Sequence, residues 1–266
     1  MKTRLDKILV ERGLAASRER AQAMILAGRV LVEEQRVDKA GAAVAEDAAI
    51  RLLGEDLKYV SRGGLKLERA LEHWALDVTG AACVDIGTST GGFTDCLLQA
   101  GARAVLAVDT GYGQIAQKLR ADARVELRER TNARLLRPGE LRLRDGSEAE
   151  FFCMDVSFIS ATLVLPAVLA ALAVESESWQ GCGVVLVKPQ FEAGREHVGK
   201  GGIVREEAAQ LLAVERVRAC VQSLGGTVVE VIDSPIKGME GNREFLLFAT
   251  FGEDAEPPQP RTEPVH

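Results

Sequence analysis

Along the first 55 residues, apolar positions fall into two short helical stripes and then two brief runs. Leu5, Ile8, Leu9 and Leu14 share one helical face; after Ser17, which suits an N-cap, Ala21, Met24, Ile25 and Leu26 share a second, closed by Gly28. Apolar runs at 30–32 and 49–53, set around polar turns, predict short strands. A longer pattern starts after LKYVSRGG (57–64), where paired glycines end one unit and Leu65, Leu67, Ala70, Leu71 and Trp74 fall on one side of a helix. From there, strand-like runs at 83–86, 104–108, 125–127, 151–154, 184–187, 227–232 and 245–250 alternate with helix-like runs at 93–100, 114–119, 162–174 and 205–224. Such alternation predicts an α/β fold, a mostly parallel sheet with helices on both faces. The last two strands follow one another without a helix, so one of them is expected to insert antiparallel. Expected boundaries are a small domain over 1–57, a linker over 58–64, a large domain over 65–252 and a proline-rich disordered tail over 253–266. No internal repeat is evident.

Composition narrows the class without naming a function. A chain of 266 residues with 47% hydrophobic content can bury a sizeable core, in one large domain or two unequal ones. The formal charge of -6 excludes a globally basic nucleic-acid binder but not a local basic face. Five cysteines, an odd number with no C-x-x-C pair, read as buried thiols in a reducing cytosol. The charged start at 1–7 lacks a following apolar segment, so no secretory leader is expected and the location is read as cytoplasmic. The longest uncharged run, 156–174, holds Ser157, Ser160, Thr162 and Pro166 and suits a core helix better than a membrane span.

The most informative stretch is VDIGTSTGGFTD (84–95), a short apolar strand running into a glycine-rich turn and a helix. Glycine is needed where backbone bends sharply or approaches a ligand closely. Gly87, Gly91 and Gly92 fall where an open α/β sheet places its first ligand loop. The spacing is not G-x-G-x-x-G, and no Lys-Ser/Thr pair closes a phosphate loop, which disfavours a dinucleotide or a nucleoside triphosphate. The strand at 104–108 ends in Asp109, suited to a ribose diol. Together these resemble the S-adenosylmethionine site of class I methyltransferases.

Four further polar residues stand at the edges of core elements, where such an architecture places its chemistry: Lys66, Asp155, Lys188 and Glu244. The strings SRGGLKLERAL, DIGTSTGGFTD, VDTGYGQ, ERTNAR, DVSFIS, LVKPQFEAG and GNREFLL resemble, in order and spacing, the TlyA (hemolysin A) family of ribosomal RNA ribose methyltransferases. The resemblance runs from about residue 3 to 251 and implies a small α+β S4 RNA-binding domain ahead of a Rossmann-like, seven-stranded FtsJ-like methyltransferase domain. It implies S-adenosylmethionine as cofactor and 2'-O-methylation of ribose, cytidine in this family, in ribosomal RNA within ribosomal subunits. Lys66, Asp155, Lys188 and Glu244 occupy the places of the family's catalytic Lys-Asp-Lys-Glu tetrad. Gly87, Ser89 and Gly91 are expected around the methionine end of the cofactor, Asp109 at its ribose and Asn132 near its adenine, with Asp85 also expected among the cofactor-binding residues.

In the small domain Arg4-Leu5-Asp6, Ser17-Arg18 and Gly28-Arg29-Val30 resemble the S4 motifs. The resemblance implies RNA contacts from Arg4, Lys7, Arg18, Arg29 and Lys39, through an electrostatic grip on phosphates. Residues 1–60 nevertheless carry 11 Lys and Arg against 10 Asp and Glu, and Glu33-Glu34-Gln35 replaces the family's small polar turn. Phe158 and Phe191, beside the tetrad, are expected in the core, with base stacking as the alternative. The run 194–202, GREHVGKGG, reads as a mobile loop whose Arg195, His197 and Lys200 are in reach of RNA phosphates. His197 has no partners at metal-ligand spacing, so no metal is expected, and neither DNA nor a membrane is expected as a partner. The readings competing with a methyltransferase are a non-catalytic RNA-binding assembly protein, a pore-forming hemolysin, a dinucleotide oxidoreductase and a pseudouridine synthase.

Overall fold

A computed structural model describes residues 2–15, 17–26, 28–52, 58–173, 178–238 and 241–252. The tail expected to be disordered, 253–266, and the end of the strand expected at 49–53 lie outside the described residues. The chain divides into two compact units, Met1–Leu57 and Lys58–His266.

In the first unit β1 (Lys2–Arg4), α1 (Leu5–Glu11), α2 (Arg18–Leu26), β2 (Val30–Val32), β3 (Gln35–Arg36), β4 (Ala43–Ala45) and β5 (Ile50–Leu52) follow in order. The two predicted stripes meet: Leu5, Leu9, Ala21, Met24, Ile25 and Val30 form one buried cluster. β2 pairs antiparallel with both β3 and β5, while β1 pairs with β4, a two-stranded ribbon that the polar sequence around it concealed. The β2–β3 turn is Glu33-Glu34, both with positive φ (49° and 62°). A two-residue hairpin turn of this hand favours Asn-Gly. Here the Glu side chains supply compensation, Glu33 accepting from the Ala49 amide at 2.8 Å and Glu34 pairing with Arg51.

The second unit is built on seven strands: β6 (Ala82–Ile86), β7 (Ala104–Val108), β8 (Val125–Arg128), β9 (Phe151–Met154), β10 (Gly181–Val187), β11 (Gly226–Asp233) and β12 (Phe245–Phe251), in the sheet order β11-β12-β10-β9-β6-β7-β8. β12 lies antiparallel between β10 and β11, the insertion expected from the missing crossover. The helices are α3 (Gly63–His73), α4 (Gly92–Gln99), α5 (Gln117–Arg120), α6 (Leu165–Leu172), α7 (Pro189–Glu192) and α8 (Glu207–Ser223). Alternation along the strands sorts the core. Val84, Ile86, Phe152, Val185 and Leu247 pack with α6 and α8, whereas Cys83, Phe151, Val184, Leu186 and Phe248 pack with α3 and α4. Four strands, β11, β12, β10 and β9, lie on one side and three, β6, β7 and β8, on the other, and the two sets meet between β9 and β6, the switch point where an open sheet leaves a crevice at its carboxyl ends.

The segment expected as a linker, 58–64, packs within this unit. Tyr59 is buried and its hydroxyl donates to Glu68 at 3.0 Å, the Val60 amide donates to Asp95 at 2.8 Å, and Gly63-Gly64 open α3. Glycine pairs break helices in isolation, but at a helix start they let neighbouring backbone approach. The helix expected over 162–174 is split by Pro166 chemistry into a 3-10 turn (Ala161–Leu163) and α6, which Pro166 can join only near its first turn. Among the described residues no helix is long and apolar enough to cross a membrane.

Candidate active site

The glycine-rich turn leaves β6 and enters α4 at the switch point. Gly87 adopts φ 86°, and a Cβ there would collide with the Asp155 carbonyl oxygen, so glycine lets the ends of β6 and β9 close on each other. Gly91, at φ 95°, is the N-cap of α4 and offers it no side-chain oxygen. That cap comes from across the turn: Asp85 accepts from the Thr94 amide at 3.0 Å and the Thr94 hydroxyl at 2.6 Å. Asp85, expected among the cofactor-binding residues, is fully buried and does not line the cavity described below. Strand alternation turns its side chain beneath α4, where it shapes the loop. Burial pushes its carboxyl up to about 7 against the pull of Thr94, and its Oδ1 has no hydrogen-bond partner among the described residues.

Beyond the turn opens a cavity of 490 Å³ whose wall includes Gly87, Ser89, Lys66, Asp155, Lys188 and Glu244. The four polar residues, scattered over 179 positions of sequence, come together as a chain of alternating charge. Glu244 lies 2.5 Å from Lys66 Nζ, Lys66 Nζ 4.0 Å from Asp155, and Asp155 2.6 Å from Lys188 Nζ. Each comes from a different element: Lys66 from α3, Asp155 from the end of β9, Lys188 from the end of β10, and Glu244 from the residue before β12. Lys66, Lys188 and Glu244 are buried, and buried charges of this kind persist only when paired. Lys188 Nζ also donates to Ser157 Oγ at 2.7 Å. An ammonium has three donors, so with Asp155 and Ser157 served one direction is left for a hydroxyl in the cavity.

Two nearby groups escaped the sequence reading. Glu192 is buried and accepts from the Ser160 hydroxyl at 2.5 Å and the Ala161 amide at 2.6 Å, tying the turn after Asp155 to the turn after Lys188. Burial raises its carboxyl despite those bonds. Its place in LVKPQFEAG was visible; its target was not, since the partner lies 31 residues away. Asn242 likewise anchors the 194–202 run expected to be mobile: it accepts from the Val204 amide at 3.0 Å and donates to the Gly202 carbonyl at 2.9 Å, while 195–197 forms a 3-10 turn.

Phe158 overturns the expectation of core packing. It is 93% exposed, holds φ 65°, and stands at the cavity with its ring 5.8 Å from that of Phe191. Asp109, Asn132 and Gly91 do not line this cavity. Asp109 accepts from the Ser89 amide at 2.7 Å and the Gly111 amide at 2.6 Å, bracing the glycine turn. Asn132 is exposed and caps a 3-10 turn through the Arg134 amide at 3.1 Å.

In the first unit, Arg4 and Arg18 converge on Asp6, which is fully buried: Arg4 contacts both its oxygens (3.0 and 2.8 Å), Arg18 Nε donates at 3.0 Å and Gln22 at 2.9 Å. Both arginines stay half exposed. Lys7 pairs with Glu11 at 3.3 Å, Arg29 is partly buried and Lys39 is exposed. The Arg4 guanidinium, with Gln22 and Arg18, holds the Asp6 carboxyl well below the ordinary range against its desolvation. An acid whose folded pKa is depressed contributes stability that is present above its unfolded pKa of about 3.9 and lost as pH falls toward the folded value. Asp6→Asn should therefore flatten the acid limb of unfolding of this unit. At neutral pH it should cost about 1 kcal/mol, a figure kept small because solvent screens the arginines. Amide hydrogen exchange across α1 and α2 reads this out, and an unchanged acid limb would contradict it.

The FtsJ-like methyltransferase family matches residues 59–251, and the S4 domain matches residues 3–50. The Bacillus subtilis protein YqxC, provisionally named an rRNA methyltransferase, is 47% identical over 246 residues, covering 92% of this chain and 85% of that one. The 16S/23S rRNA (cytidine-2'-O)-methyltransferase TlyA of Mycobacterium tuberculosis is 42% identical, covering 93% and 89%. A solved structure from Streptococcus thermophilus, provisionally named a hemolysin, is 42% identical with a TM-score of 0.71, covering 95% and 89%. With both family matches in order along the chain and these relatives covering most of it, this protein belongs to the FtsJ-like methyltransferases that carry an S4 domain.

Proposed function

We propose that this chain transfers a methyl group from S-adenosylmethionine to the 2'-hydroxyl of a cytidine ribose in ribosomal RNA. The observation that carries this reading is the alternating Glu244–Lys66–Asp155–Lys188 chain opening into the same cavity as the glycine turn. The glycine turn fits the cofactor's methionine end, since Gly87 and Ser89 line the cavity; by motif position Gly91 would back that turn, Asp109, which accepts from the Ser89 amide, would meet the ribose, and Asn132 would lie toward the adenine. When bound, the cofactor supplies an electrophilic methyl on a sulfonium.

The chain's own residues prepare the acceptor. A ribose hydroxyl is a poor nucleophile at neutral pH and needs its oxygen held in line and its proton accepted. Lys188, fixed by Asp155 and Ser157, would donate to the hydroxyl oxygen; as that oxygen bonds to the methyl carbon and the carbon–sulfur bond breaks to leave a neutral thioether, the hydroxyl proton would pass to the Asp155 carboxylate paired with Lys188. Lys66, held by Glu244, stabilises negative charge developing on that oxygen. Phe158 gives the target base an exposed ring to stack on, an interaction worth about 1–3 kcal/mol per base. Arg4 and Arg18, aligned by Asp6, serve with Lys7, Arg29 and Lys39 as the S4 unit's RNA contacts, where a fixed fork loses less entropy on binding phosphate.

Incubation with labelled S-adenosylmethionine and ribosomal subunits lacking the modification should place label in RNA. Nuclease digestion and mass spectrometry should then recover it as 2'-O-methylcytidine. Label on a base, on protein or nowhere would refute the reading.

A further inference from the structure

Beside the tetrad's cavity lies a second one, of 640 Å³, and the two share Ile236, Lys237 and Glu244 as a common wall. Its rim is built by specific bonds. Asn242, 1% exposed, ties 202–204 to the residues just ahead of Glu244. Gln210 donates to the Val204 carbonyl at 2.8 Å, and the Gly238 amide donates to the Asn242 carbonyl at 2.9 Å. Gly238 lies so close that a Cβ there would meet Glu244 Oε1 at 2.6 Å. Together these contacts bring Arg205 and Lys237, 32 positions apart in sequence, to one basin adjoining a tetrad carboxylate.

Among the described residues the charges in this basin do not all cancel. Asp233 is engaged by Arg243 through contacts of 2.6 and 2.9 Å, and Glu244 faces Lys66 at 2.5 Å. Glu207, next along the chain from Arg205 and Glu206, pairs with Arg243 at 3.7 Å. Among the described residues the side chains of Arg205 and Lys237 have neither a hydrogen bond nor an ion pair. Two uncompensated cations in a walled basin suit an anionic ligand with spaced charges. Reaction chemistry names one: the 3'-phosphodiester sits on the ribose carbon next to the reacting hydroxyl. Any RNA seated with its 2'-oxygen at Lys188 must send that phosphate out beside the site.

We propose that this basin is the subsite for the RNA backbone on the 3' side of the target ribose, with Lys237 meeting the first phosphate and Arg205 the next. The inference rests on the reading that the acceptor is an RNA ribose hydroxyl. Contacts of this kind set register and orientation without reading sequence. They act equally on ground and transition states, so their loss appears in KM.

The test uses the full chain, ribosomal subunits lacking the modification and a salt series. Lys237→Gln and Arg205→Gln should each raise KM for RNA at unchanged kcat and unchanged S-adenosylmethionine affinity, and Lys237→Arg should recover most of the loss. Each Gln variant should also lower the slope of log KM against log salt by about 0.7 to 1. If both variants keep the wild-type KM and salt slope while the wild type methylates RNA, the inference falls alone. A fall in kcat at constant KM would likewise overturn it. If the wild type transfers no methyl to RNA, the functional reading and this inference fall together.

Discussion

Lys188→Ala is expected to abolish methyl transfer, with a loss in kcat of about a thousandfold or more, while S-adenosylmethionine binds nearly as tightly as to wild type. The asymmetry follows from where the lysine stands. It leaves the end of β10, 2.6 Å from Asp155 and 2.7 Å from Ser157, whereas the cofactor's turn is built between β6 and α4. Alanine removes the only tetrad cation that also reaches Ser157 and leaves Asp155 with Lys66, 4.0 Å away, as its remaining tetrad partner. Lys66→Met tests the other half, since Glu244 would lose its partner at 2.5 Å. That variant carries a larger folding penalty, because a buried carboxylate is left unpaired. Single-turnover assays with saturating RNA separate these effects from binding. Turnover of Lys188→Ala within about tenfold of wild type would remove Lys188 from the chemistry.

Gly87→Ala should weaken cofactor binding and lower kcat together, each by about a hundredfold or more, because one methyl group disturbs two parts of the site. A left-handed backbone costs an L-residue roughly 1–2 kcal/mol by itself. Here, with φ at 86°, the new Cβ would also collide with the carbonyl oxygen of Asp155. Relief requires the turn to move out of the cavity or Asp155 to move away from Lys188, and either shift is felt on both sides. Gly113→Ala supplies the control. Its φ is 71°, so the strain is similar, but nothing lies within 4 Å of its Cβ position. Calorimetric titration with S-adenosylmethionine checks the first effect and single-turnover kinetics the second. Wild-type affinity in Gly87→Ala would show that the close approach of β6 and β9 is not what forms the site.

The large unit was legible because strands buried on both faces write continuous apolar runs, and the absence of a crossover between 227–232 and 245–250 carried the antiparallel insertion of β12. The short ribbon of β1 and β4 was not legible, since three-residue strands without apolar alternation leave no periodic signal. Asp85 and Phe158 have side-chain placements that motif position and residue type do not encode. Motif position suggested a ligand contact for Asp85, but alternation along β6 turns it under α4; residue type suggested burial for Phe158, but its positive φ after the Asp155 turn holds the ring outward. Asn242 and Glu192 carried no signal of their own, because each acts on backbone groups 31 to 40 residues away.

The order of the two units, the alternation of the sheet and the glycine turn could be read along the chain, because these depend on local periodicity and on residue types required at fixed points; Lys66, Asp155, Lys188 and Glu244 stood out there through family resemblance. The folded chain is what brings Glu244, Lys66, Asp155 and Lys188 into one alternating chain of charge and sets Arg205 and Lys237 in a basin against it. Those facts are distances between groups far apart in sequence. They follow from how strands register at the switch point and how buried side chains such as Asn242 pin one loop to another, and no local pattern encodes either.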